Sequence, residues 1–69
     1  MRYFCLPRNI VESIQNFPPA KDIYRPVNFI LKDGSIRNDV DVINGEFYAM
    51  DETKHKYFEP ADISFASES

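Results

Sequence analysis

Between residues 27 and 50 apolar and polar side chains alternate around two bends, and that pattern predicts three antiparallel strands. Asp33-Gly34 and Asn44-Gly45 are both strong two-residue hairpin signals, because a type I′ turn needs positive φ at each central position. Two-residue turns set Leu31 opposite Ile36, Phe29 opposite Asn38 and Val27 opposite Val40. The second turn sets Val42 opposite Phe47 and Val40 opposite Ala49. One face then gathers Val27, Phe29, Leu31, Ile36, Val40, Val42, Phe47 and Ala49. The other gathers Asn28, Lys32, Arg37, Asp39, Asp41 and Glu46, together with Ile30, Ile43, Tyr48 and Met50. A slip of one residue would put apolar side chains on both faces at once.

Ile10, Ile14 and Phe17 recur at helical spacing with Val11 beside them, so residues 9–17 are predicted as a short helix. Asn9 with Glu12 three residues on gives a capping-box variant at its start, and Pro18-Pro19 must end it. A helix this short has to dock on something to persist. Residues 18–25 form a connector. Beyond Met50, residues 51–55 are a polar loop and Lys56-Tyr57-Phe58 a short strand. Glu59-Pro60-Ala61-Asp62 is a tight turn and Ile63-Ser64-Phe65-Ala66 a last strand, followed by a frayed tail at 67–69. The fold class expected is α+β, mostly β: a short N-terminal helix followed by a five-stranded antiparallel meander over residues 26–66, all in one domain.

That order resembles the small SH3-like barrels, and the leading helix makes it most similar to the Sm-like branch. Val27-Asn28-Phe29-Ile30-Leu31-Lys32-Asp33-Gly34 is similar to the first Sm strand and its Gly turn, and Tyr57 to Ser64 echoes the last two strands of the bacterial Sm-like RNA chaperone. The resemblance implies a small barrel; the alternative is an open sheet covered by the helix. Asn38-Asp39 stands where the family bends its second strand at a glycine. Glu59-Pro60-Ala61-Asp62 replaces the Lys-His pair of the chaperone's last turn, so no functional residue carries over.

The 69 residues hold one cysteine and one histidine, which excludes an internal disulfide and a four-ligand N/S zinc site. Ten aromatics, six Phe and four Tyr, are left to stabilise so small a core. Residues 1–37 carry six Lys/Arg against three acids, and residues 38–69 two Lys against eight acids. A chain of net charge −3 is no polycation that would hold phosphate non-specifically. The free thiol and the absence of a signal-peptide run in residues 1–8 or a membrane-length apolar run give a cytoplasmic expectation with no membrane partner.

Candidate chemistry is sparse. His55 lies between Lys54 and Lys56 in a loop and has no orienting partner in sequence. Cys5, between Phe4 and Leu6, is expected to be a small buried hydrophobe. Asp39 and Asp41 point the same way about 7 Å apart, with Arg37 on their face to offset them. Arg2, Arg8, Lys21, Arg25 and Lys32 interleave with Tyr3, Phe4 and Tyr24, the pairing that holds single-stranded nucleic acid. Tyr57 and Phe58 must face opposite sides, one entering the core. No enzyme, metal or cofactor is expected. The function expected is a small non-enzymatic protein-interaction module, self-association being one form of it, with Ile30, Ile43, Tyr48, Met50 and Tyr57 as its surface. The alternatives are an Sm-like single-strand binder and an acidic inhibitor or immunity-type protein.

Overall fold

The computed structural model describes residues 1–69. Its elements are β1 (Arg2–Cys5), α1 (Arg8–Gln15), β2 (Tyr24–Leu31), β3 (Ile36–Ile43), β4 (Phe47–Met50), a short 3₁₀ turn (Pro60–Asp62) and β5 (Ile63–Glu68). All five strands join one antiparallel sheet in the order β1-β4-β3-β2-β5. The two edges, β1 and β5, do not pair with each other, so the sheet is open.

The helix forms where the periodicity places it, but its start differs. Pro7, with φ −58° and ψ 150°, occupies the N-cap, and its carbonyl accepts from Ile10 N and Val11 N at 3.0 Å each. Asn9 therefore lies inside the first turn and caps nothing. Proline's fixed φ already suits a chain entering a helix. At the other end Arg25 of β2 lays its guanidinium on the Phe17 ring, 5.6 Å from the centroid, and donates to the carbonyls of Ile14 and Pro18. Those carbonyls lie at and beyond the helix end, where backbone acceptors lack intrahelical donors. One side chain thus latches helix and connector to the sheet.

Both hairpins depart from the two-residue expectation, and the departures have different consequences. At the first, Gly34 N donates to Leu31 O at 2.9 Å and Leu31 N to Ser35 O at 2.8 Å, with Gly34 at φ +89°. That is a three-residue loop with glycine in the left-handed position. The pairing then runs Ile30↔Ile36 and Phe29↔Arg37, one step from the expected register. A bulge follows, in which Asn38 and Asp39 oppose Asn28, and it restores Val27↔Val40. At the second hairpin Glu46 N closes the turn on Ile43 O at 3.0 Å, yet pairing resumes at Ile43↔Phe47 and Val42↔Tyr48. No later bulge repairs this slip, so the expected Val40 to Ala49 pairing is absent and β4 presents its other parity.

The core consequently holds Tyr48 and Met50, at 0% and 1% exposure, with Val27, Phe29, Val40 and Val42 from the sheet, Ile10 and Ile14 from α1, and Phe58 and Ile63 from the C-terminal part. Tyr48 and Phe58 stack at 4.9 Å and 5° between planes, and Tyr48 Oη donates to Phe58 O at 2.9 Å. Burial raises the Tyr48 pKa, with smaller contributions from Tyr57, Asp62 and Glu59. Residues 56–58 are not a strand. Phe58 is held by its ring rather than by a ladder, and Tyr57 points the other way at 39% exposure. The strand missing there is supplied by β1, which occupies the free edge of β4. The expected tail is largely strand, since β5 runs to Glu68 against Val27.

Candidate interaction face

Strand alternation and register define the sheet face turned away from the core. On it, Ile36, Ile30 and Phe65 are direct cross-strand partners, making an apolar row across β3, β2 and β5. The row's ends are 56% and 54% exposed, and Ile30 between them is half-buried. A second row runs Tyr24, Ile43, Phe47 and Cys5 across β2, β3, β4 and β1. Tyr24 is 51% exposed, and Ile43 and Phe47 are half-buried. The six steps along β2 from Tyr24 to Ile30 separate the rows by about 20 Å. Between them lie Pro26, Asp41, Asn28 and Ser67.

Charge divides between the two faces. The outward strand positions carry no Lys or Arg, and Asp41 is exposed among them. The three strand arginines all turn toward the core side. Arg2 covers the rings of Tyr57 at 5.1 Å and Phe4 at 5.6 Å and pairs with Glu52 at 3.3 Å. Arg25 covers Phe17. Arg37 lies 5.7 Å from the Phe58 centroid and donates to Lys56 O and Ser35 Oγ, each at 3.1 Å. A guanidinium on a ring face keeps its charge near water while shielding the apolar edge beneath.

Of the surface expected from sequence, Ile30 and Ile43 lie on the outer face. Tyr48 and Met50 do not: the extra residue in the Asn44-Gly45 turn swings them into the core. Tyr57 is off the outer face, edge-on to Phe4 at 6.2 Å beneath Arg2. Ile36, expected inside, is outside for the same kind of reason, one residue gained at the Asp33-Gly34 turn. Phe65 was detectable only as an alternating member of a short strand, and its exposure depends on which neighbour the strand finds; Tyr3 lies in β1, a strand not expected from sequence.

The remaining candidates disperse. Cys5 is exposed, not buried, because β1 alternation points it outward beside Phe47. Asp39 sits in the bulge at φ +55°, its N–H donating to Asn28 Oδ1 at 3.0 Å and its carboxylate accepting from Ser69 Oγ. It is not a twin of Asp41, and Arg37 offsets neither, since it faces the core side. Arg2 and Arg25 are engaged inside the fold, and Arg8 pairs with Glu12 at 3.8 Å. His55 is half-buried in the 51–55 loop, where its backbone N–H donates to Asp51 O at 3.0 Å. No three His, Cys, Asp or Glu side chains converge as metal ligands. No helix is long and apolar enough to cross a membrane.

In comparisons with known proteins, no family model matches the chain, and no curated protein or solved structure matches it either.

Proposed function

We propose that the chain is a small non-enzymatic protein-interaction module whose contact surface is the outer face of the sheet. The observation that carries this is the Ile36–Ile30–Phe65 row, three apolar side chains in direct cross-strand register with both ends more than half exposed. Single exposed apolar residues are ordinary; aligned ones beside a second row make a patch whose burial by a partner is favourable at about 25 cal/mol per Å². A nucleic-acid reading would need cations interleaved with those rings, whereas the strand arginines lie on the other side of the sheet and lysines stand only at its rim, near Tyr24 and Ile36. A reading through small SH3-like or Sm-like barrels would not decide the role, since such folds host many.

Placing a photo-crosslinking residue at position 65, and separately at the exposed helix position 12, tests this in the cells that make the protein. A discrete protein adduct at 65 and none at 12 is the expected result. Equal labelling at the two positions, or none at 65, would remove the outer face as the contact surface.

A further inference from the structure

Resting on that reading of the outer face, we propose that its partner is a different protein presenting a Lys or Arg between two apolar contacts, not a second copy of this chain. Asp41 stands between the two apolar rows, exposed, and takes part in neither of the two ion pairs of the fold, which are Arg2–Glu52 and Arg8–Glu12. A partner covering both rows must cover Asp41 as well. Removing a carboxylate from water without a counter-charge is costly, so the occupant has to bring a cation to that point. The rim lysines, Lys32 in the turn beyond Ile30, Lys21 by Tyr24, and Lys54 and Lys56 by Ile36, make no ion pair with Asp41, and Arg8 already faces Glu12.

The same residue argues against self-association through this face. A two-fold dimer places the same patch on both sides. Two copies face to face would bring two Asp41 bands and no arginine into one interface. Stacking the arginine side of one copy on the outer face of the next would join unlike patches, which closes only as a ring and otherwise propagates as a filament. A cationic partner meets neither obstacle.

Two synthetic amphipathic helical peptides of about 18 residues, about 27 Å long and able to span both rows, serve as probes. Both carry the same Leu/Trp face; one has Lys beside it and the other Glu. Backbone amide shifts of the full chain are followed by NMR at low salt. The Lys peptide is expected to move the amides of Ile30, Ile36, Asp41 and Phe65, and the Glu peptide to leave them in place. Asp41→Lys should weaken the Lys peptide about tenfold, whereas Glu12→Lys, the same charge change on the helix, should leave its affinity alone. Phe65→Ser should weaken it as well, with the fold checked by circular dichroism. If both peptides bind the outer face equally, the charge inference fails while the interaction reading stands. If neither moves those amides, both fail. If Glu12→Lys weakens the Lys peptide as much as Asp41→Lys, the attraction is general and the Asp41 assignment is overturned. Concentration-dependent shifts of the same amides without peptide would make the second copy the occupant.

Discussion

The Asn28 side chain spans three strands: Oδ1 accepts from Asp39 N at 3.0 Å on β3, and Nδ2 donates to Glu68 O at 3.3 Å on β5. It sits opposite the bulge, where Asp39 takes φ +55° and the ladder cannot pair in the ordinary way. The amide satisfies a backbone donor that the bulge would leave without a strand partner. Asn28→Ala should therefore cost about 1–2 kcal/mol in urea unfolding. Asp39→Gly, which removes the strain but also the Ser69 contact, should change stability by less than about 1 kcal/mol, whereas Asp39→Val should cost about 1–3 kcal/mol. A valine tolerated as well as glycine would mean that the bulge is not held as described.

These same residues mark what is legible in the sequence. A glycine-bearing bend announces that the chain reverses, so three adjacent strands and the helix before them can be read directly. It does not say whether the reversal consumes two residues or three, and a single residue inverts every side chain that follows. At the first hairpin the Asn38-Asp39 bulge returns Val27 to Val40, and the inner face comes out right over that stretch. At the second nothing compensates, and Tyr48 and Met50 exchange sides with Phe47. The candidate face is legible only at Ile30 and Ile43 for this reason. β1 has no local signal beyond four residues of mixed character; it is a strand because β4 offers it an edge.

Tyr48 couples the core to alkaline pH. Its pKa is raised in the folded chain from an ordinary value of 10.0, chiefly by burial. Above about pH 10 the unfolded chain then loses its proton more readily than the folded one, so this group's contribution is complete below that pH and declines as pH rises further. Tyr48→Phe leaves the Phe58 carbonyl without its donor and should cost about 1–2 kcal/mol near neutrality. Thermal melts of both proteins between about pH 8 and 11 should show the gap narrowing above about pH 10. A gap that stays constant throughout would contradict a buried, proton-retaining Tyr48.

At acid pH the sensitive groups are two Asp-x-Ser/Thr turns. Asp33 Oδ1 accepts from Ser35 Oγ at 2.6 Å and Ser35 N at 2.9 Å; Asp51 Oδ1 accepts from Thr53 Oγ1 at 2.6 Å and Thr53 N at 3.0 Å. Those hydroxyl bonds, and then the amide bonds, hold both carboxyls below their ordinary value of 3.8. Because the folded pKa is the lower one, each contribution to stability is present above pH 3.8 and is lost as pH falls through the folded pKa. Carboxyl titration by NMR should place both midpoints below 3.8. Ser35→Ala should raise that of Asp33 alone, and Thr53→Ala that of Asp51 alone. Movement of both in either variant would point to a shared charge effect instead of local turns.

Arg37 closes the core where no strand does. Residues 56–58 lack a ladder, yet Phe58 is 2% exposed, and the groups that hold the segment's backbone carbonyls are the Tyr48 hydroxyl on Phe58 O and the Arg37 guanidinium on Lys56 O. The same guanidinium covers the Phe58 ring and reaches Ser35 Oγ, so it joins the first hairpin to the C-terminal segment. A lysine ammonium is a point charge without a planar fork and cannot meet ring, carbonyl and hydroxyl together. Arg37→Lys should thus behave more like Arg37→Ala than like the parent. Both should speed trypsin cleavage at Lys56 in the folded chain, while amide exchange at Val40 and Val42 tracks only the change in global stability. If Arg37→Lys resisted cleavage at Lys56 as well as the parent, the charge near Lys56 O would be sufficient and the planar contact with the ring would have no role in holding the segment.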